Sequence, residues 1–64
     1  MNANEIYDIL HQTDRGVLRK IINGGTAILD AHERCVYERI VKCADDIGWT
    51  HERVMWAIQR VMEQ

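Results

Sequence analysis

The feature that most restricts the fold is a series of apolar residues at helical spacing in the middle of the chain. Its members lie seven, four, three and four residues apart: Leu29, Val36, Ile40, Cys43 and Ile47. Such steps place side chains on one face of an α-helix. Charged residues alternate in sign at four-residue steps from Asp30 to Asp46 and predict the solvent-facing side. We therefore predict a long central helix over residues 26–47, capped by Thr26.

A first helix is predicted over residues 3–22, where apolar residues again recur at three- and four-residue steps. Asn2 is its candidate N-cap, and Thr13-Asp14 followed by a glycine marks a point where it can break in two. Asn23-Gly24-Gly25 predicts a left-handed stop after it. An alternative makes residues 20–29 a β-hairpin, because Asn-Gly between apolar runs is a strong turn signal. Continued helical periodicity on both sides favours the helix.

A last helix is predicted over residues 51–63. Gly48 ends the central helix, and Thr50 is a candidate cap for the next one. The fold class is therefore all-α, a bundle of three helices, or four if the first one breaks. With 64 residues the chain is expected to form a single domain, residues 1–64.

Composition restricts the partners and the compartment. No run approaches the roughly 20 apolar residues of a membrane span, and residues 1–5 do not resemble a signal peptide, so a cytoplasmic protein without a membrane partner is expected. The net charge is −2, whereas DNA-binding domains usually have a basic excess. DNA therefore remains an alternative partner and not the first choice.

A homodimer is predicted from the length of the central helix. A helix of about 21 residues is roughly 31 Å long, and a first helix broken at Thr13 would leave part of the apolar face uncovered. The same face of a second copy would cover it. In that arrangement the dimer seam would consist of Leu29, Val36, Ile40, Cys43 and Ile47.

No enzyme, metal or cofactor site is predicted. Cys35 and Cys43 are too far apart along a helix for a disulfide or a shared zinc with His32, and we expect both as buried, reduced thiols. The chain has no serine, no glycine-rich phosphate loop and no paired carboxylates suited to acid–base catalysis.

The corner between the last two helices has a recognisable pattern. It combines a small residue on the first helix, an apolar pair flanking the turn glycine, and inward apolar residues on the second helix: Ala44, Ile47, Gly48, Trp49, Val54 and Ala57 or Ile58. Residues 40–60 thereby resemble the helix-turn-helix family. The resemblance implies a DNA-reading face with Thr50, His51, Gln59 and Arg53 as contacts. Glu52, Met55 and Trp56 on the same face are poorly suited to a major groove.

Trp56 is predicted to lie opposite the inward residues of the last helix. An exposed tryptophan among polar residues is typical of a protein interface, although it could also cover a neighbouring helix of the same chain. Our first functional prediction is therefore a small, non-enzymatic regulatory or adaptor protein. Its candidate partner-binding residues are Trp56, Met55, Arg53 and Arg60.

Two alternatives remain beside this prediction. One is a helix-turn-helix transcriptional regulator, and the other is a homodimer whose partner site lies away from the central helix. The size and the acidic, helix-only make-up are also similar to small accessory proteins of temperate bacteriophages.

Overall fold

The computed structural model describes residues 2–64, except for the side chains at positions 25 and 26. Within this part there are four α-helices, one short 3-10 helix at Gly25–Ile28 and no strand. The α-helices are α1 (Ala3–Gln12), α2 (Arg15–Gly24), α3 (Ala31–Asp46) and α4 (His51–Met62). The predicted all-α class is confirmed. None of these helices is long and apolar enough to cross a membrane.

The predicted break after residue 12 separates α1 from α2. Thr13 is extended, its N–H donates to the Leu10 oxygen at 3.2 Å, and its hydroxyl donates to the Ile9 oxygen at 2.7 Å. One residue later the Asp14 carboxylate accepts the N–H of Gly16 at 2.7 Å. The end of α1 and the start of α2 are therefore specified by hydrogen bonds within a few residues.

The segment after α2 differs from both predictions. Gly24 is the last residue of α2 and the chain then continues into the 3-10 helix, so the described residues contain neither a left-handed stop at Gly24 nor a hairpin. A Cβ added to Gly24 would lie 2.7 Å from Cδ1 of Ile28. Glycine at this position makes room for a side chain one turn later and does not supply a positive φ.

The start of α3 also corrects the sequence analysis. The side chain of Thr26 lies outside the described part of the chain, but α3 begins at Ala31 and not at residue 26. Its N-cap is Asp30, whose carboxylate accepts the N–H of Glu33 at 2.8 Å, while the Glu33 carboxylate accepts the N–H of Asp30 at 3.0 Å. This reciprocal capping box satisfies two N–H groups that helix geometry leaves unpaired. The central helix is therefore 16 residues long.

The corner between α3 and α4 matches its prediction. Gly48 has φ of +79°, and the N–H groups of Gly48 and Trp49 donate to the oxygens of Asp45 and Ala44 at 3.1 and 2.8 Å. These are the two bonds of a Schellman motif. The Thr50 hydroxyl then accepts the N–H of Arg53 at 3.2 Å and caps α4.

One apolar core joins the four helices. α1 packs against α3 and α4, and α2 packs against α4. The largest fully buried side chains come from every helix: Ile6, Leu10, Leu18, Ile40 and Ile58. Small residues, Ala44 and Ala57, are buried on α3 and α4, where they permit close approach.

The proposed dimer seam faces this core. Leu29, Ile40 and Cys43 are buried within one chain, and Val36 and Ile47 are half-buried against the same core. Neighbouring helices of the same chain cover the seam, because α1 and α4 both pack against α3. The break in the first helix therefore leaves only Val36 and Ile47 of the seam partly exposed. Homodimerisation itself stays a prediction.

Candidate functional site

The most distinctive exposed surface is a run of alternating tryptophan and arginine side chains on α4 and the residue before its cap. The guanidinium carbon of Arg53 lies 4.7 Å from the Trp49 ring centroid and 4.1 Å from that of Trp56. The guanidinium carbon of Arg60 lies 5.5 Å from the Trp56 centroid. We call these four residues the Trp/Arg stack. Cation–π contacts at such distances contribute about 0.5–1 kcal/mol each at exposed sites.

Helical spacing accounts for the part of the stack that lies on α4. Arg53, Trp56 and Arg60 lie three and four residues apart on α4, so they are neighbours on one side of the helix. Trp49 precedes the extended cap residue Thr50 and reaches Arg53 from outside the helix. Trp56 is 45% exposed, while Val54 and Ile58 are buried on the opposite side. The predicted outward direction of Trp56 is confirmed. In the part of the chain that the structure describes, its ring contacts only the two arginines of its own helix.

Trp49 is the member of the stack that the sequence analysis did not assign to this surface. It is half-buried, and its ring meets that of Tyr7 on α1 edge to face, with centroids 6.1 Å apart and planes at 77°. Trp49 therefore connects the stack to α1. Because Trp49 lies outside α4, helical spacing does not predict its position, and the packing against Tyr7 places it in the stack.

The other predicted contact residues differ in their exposure. Met55 is half-buried and packs against the core, so it does not join the exposed aromatic surface. Thr50, His51 and Gln59, the candidate DNA contacts, are all exposed. The Thr50 hydroxyl already accepts the hydrogen bond that caps α4. Arg53 is shared by both predictions, and its guanidinium lies between two indole rings.

The charges around Trp56 are separated. At 100° per residue, Arg53 and Arg60 lie about 40–60° to one side of Trp56 around the helix, and Glu52 and Glu63 lie about 20–40° to the other. All four are exposed. The exposed side of α4 therefore has a basic edge and an acidic edge, with an indole ring between them.

The two cysteines lie in different environments. Cys43 is 2% exposed, and burial, followed by the negative charges of Glu5 and Asp46, raises the pKa of its thiol. Cys35 is exposed, so the prediction that both thiols are buried is wrong for this residue. Eight residues at 100° each place the two about 80° apart around α3, and only Cys43 is turned toward the core.

The remaining candidates do not bring reactive groups together. A groove of about 440 Å³ between α1 and α3 has Glu5 and Asp8 on one wall and Arg39 and Lys42 on the other. Its one thiol is that of Cys43, whose pKa is raised and not lowered. Among the described residues, no three histidine, cysteine or carboxylate side chains are grouped to hold a metal ion.

Comparison with known proteins adds no relative. No family model matches the sequence, and neither the curated proteins nor the solved structures include a match.

Proposed function

We propose that this chain is a small, non-enzymatic regulatory or adaptor protein that acts by binding another protein through the exposed side of α4. The observation that supports this most directly is the position of Trp56. Its ring is 45% exposed and lies against two guanidinium groups. Tryptophan and arginine dominate the residues that contribute most to protein interfaces.

Preorganisation is a second reason for choosing this surface. Arg53 is held between two indole rings, and Trp49 is itself held by Tyr7 of α1. Side chains that are already ordered lose less entropy on binding than mobile ones. Trp56 and Arg53 are therefore the proposed centre of the interface, with Arg60 beside them and Met55 at its core-facing edge.

The test is capture of a partner from a lysate of the native host with immobilised protein. Trp56→Ala should abolish capture while helicity and thermal melting stay nearly unchanged, because the ring is exposed. Ile28→Ala is a matched control, since it truncates another exposed apolar side chain, 53% exposed, outside the stack. Retained capture by Trp56→Ala would contradict the proposal. Loss of folding in this variant would instead identify Trp56 as a core residue.

A helix-turn-helix DNA-binding regulator is the second candidate, and the α3–α4 corner is what favours it. Ala44, Val54 and Ala57 are buried and Gly48 has a positive φ, as the family pattern requires. The net charge of −2 and the presence of Glu52 on the reading face weigh against it.

A titration with duplex DNA distinguishes the two candidates. For a DNA-binding protein, affinity should appear at low salt and fall steeply as salt is added, because bound phosphates release counterions. Gln59→Ala and His51→Ala should then weaken binding, although neither residue belongs to the stack. Absence of binding at about 50 mM salt would remove this candidate. Homodimerisation and the likeness to phage accessory proteins remain predictions, and these two experiments do not test them.

A further inference from the structure

The guanidinium groups of the stack have unused hydrogen-bond donors. Among the described residues, the guanidinium groups of Arg53 and Arg60 make cation–π contacts but no hydrogen bond or salt bridge to a protein oxygen. Two other basic residues do have such partners. Arg15 donates hydrogen bonds to two main-chain oxygens, and Lys20 forms a salt bridge with Glu33. Stacking occupies the face of a guanidinium and leaves the N–H groups at its edge free for a planar acceptor.

The spacing of the two arginines sets the geometry of such an acceptor. Arg53 and Arg60 are seven residues apart, which is about 10.5 Å along a helix axis at 1.5 Å per residue. Their guanidinium carbons lie 4.1 and 5.5 Å from the same Trp56 ring centroid, so the two charges are at most about 9.6 Å apart. The indole of Trp56 lies between them along the helix. A ligand that satisfies all three therefore has two anionic groups about two helical turns apart, with an apolar group between them.

We propose that the Trp/Arg stack binds an acidic helical segment of a partner protein, in which two carboxylates seven residues apart meet Arg53 and Arg60 and an apolar side chain rests on Trp56. This inference depends on the proposed function, because it names the chemistry of the partner at the same surface. Arginine pairs with carboxylate through two parallel hydrogen bonds, and exclusion of water around the tryptophan strengthens such pairs.

Charge complementarity favours this partner over nucleic acid. Glu52 and Glu63 lie on the other side of Trp56 and are exposed. Duplex DNA has one negative charge per about 1.7 Å of axis, so DNA laid along α4 would bring phosphates close to both glutamates. A helix with one row of carboxylates can place that row over the arginines alone.

The experiment uses synthetic helical peptides and the full chain. Each peptide contains a central leucine and two glutamates, and the set varies the separation of the glutamates from three to ten residues. A matched peptide has glutamines in their place. Fluorescence anisotropy should show the tightest binding at a separation of seven, at least about tenfold tighter than the glutamine peptide.

Charge reversal identifies the protein side of the contact. Arg60→Glu should weaken binding of the glutamate peptide by at least about tenfold, and a lysine at the corresponding peptide position should restore it. Arg53→Lys should also weaken binding, because lysine keeps the charge and loses the planar fork. Arg39→Glu, on the groove between α1 and α3, is the matched control and should have little effect. Circular dichroism checks that each variant is folded.

Several results would overturn the inference. These are absence of peptide binding, equal affinity for the glutamate and glutamine peptides, and unchanged affinity in Arg60→Glu. Salt-sensitive binding of duplex DNA that Arg60→Glu abolishes would replace the acidic helix with nucleic acid. Self-association lost in the same variant would replace it with a second copy of the chain. If Trp56→Ala abolishes partner capture while the peptides fail, only the partner chemistry is wrong, whereas retained capture refutes the proposed function as well.

Discussion

The guanidinium of Arg15, the first residue of α2, donates a hydrogen bond to the main-chain oxygen of Met62, the last residue of α4, across 3.2 Å. A second nitrogen of the same guanidinium donates to the main-chain oxygen of Gln64 at 2.6 Å. The final carbonyls of a helix have no partner within the helix and have partial negative charge. A cation from one helix therefore caps the end of another.

Arg15→Ala should lower the free energy of unfolding by about 0.5–1 kcal/mol, because it removes this capping charge and its hydrogen bonds from an exposed site. Arg15→Lys should recover part of the loss, since it keeps the charge. Urea unfolding measures both. Arg19→Ala, on the same helix and exposed, is the control and should have a smaller effect. Equal losses for Arg15→Ala and Arg19→Ala would contradict the capping role.

Gly48→Ala should destabilise the fold by about 1–2 kcal/mol through the backbone alone. The φ of Gly48 is +79°, and no atom lies within 4 Å of an added Cβ, so steric clash with neighbours is not the cause. Gly48→Asn should cost less, because asparagine tolerates the left-handed region. Thermal or urea unfolding of the two variants measures the difference. Equal destabilisation by alanine and asparagine would contradict the backbone explanation.

Asp30→Ala should destabilise the fold by about 1 kcal/mol, because the capping box at the start of α3 is lost. Asp30→Asn should retain most of the stability, since the amide oxygen can still accept the N–H of Glu33. Asp46→Ala removes the same charge at the other end of α3 and should be neutral or slightly stabilising. A neutral Asp30→Ala would mean that α3 starts elsewhere in solution.

The free energy of unfolding should fall in acid, because the Glu33 carboxylate becomes protonated. The N–H of Asp30 and then the Lys20 ammonium hold the pKa of the Glu33 carboxyl below its ordinary value of 4.5. The same carboxylate raises the pKa of Lys20. A carboxyl whose pKa is lower in the folded state stabilises the fold above its unfolded pKa, and this contribution is lost as pH falls through the folded value.

The measurement is the urea midpoint near neutral pH and below the ordinary glutamate range. Glu33→Gln should reduce the loss of stability between the two, because glutamine keeps the cap and does not titrate. Glu38→Gln, exposed on the same helix, makes the same change in net charge and should leave the pH dependence largely as it is. Identical pH dependence in Glu33→Gln and the unmodified chain would exclude this role of Glu33.

The two thiols should react at very different rates with a thiol-modifying reagent. Cys35 is exposed, whereas Cys43 is 2% exposed and its raised pKa lowers the fraction of reactive thiolate. Cys43 should react only as fast as the chain opens. Mass spectrometry after short labelling should therefore find the label on Cys35, and Cys35→Ser should label slowly. Addition of urea should remove the difference, and rapid labelling of Cys43 without urea would contradict its burial.

The Trp/Arg stack shows how much of a surface can be predicted from the sequence. Helical periodicity placed Trp56 opposite Val54 and Ile58, and Arg53 and Arg60 beside it, because the direction of a side chain follows from its position around the helix. Trp49 was not included. Its place in the surface depends on packing against Tyr7, which lies 42 residues earlier in the sequence.

The sequence by itself determined the local features: the break at Thr13, the turn at Gly48 and the cap at Thr50. Each is set by hydrogen bonds or backbone preferences within a few residues, and the residue types alone specify them. It also determined the apolar face of the central helix.

Only the tertiary structure decided what covers the apolar face of α3. The start of α3 is set locally, because Asp30 and Glu33 have the three-residue spacing of a capping box, and our prediction of Thr26 as the cap overlooked that signal. An apolar face must be buried, but periodicity does not say against what. Here α1 and α4 of the same chain bury it, because the breaks in the chain let both helices pack against α3. Contacts between distant parts of the chain determine that outcome, and local spacing contains no information about them.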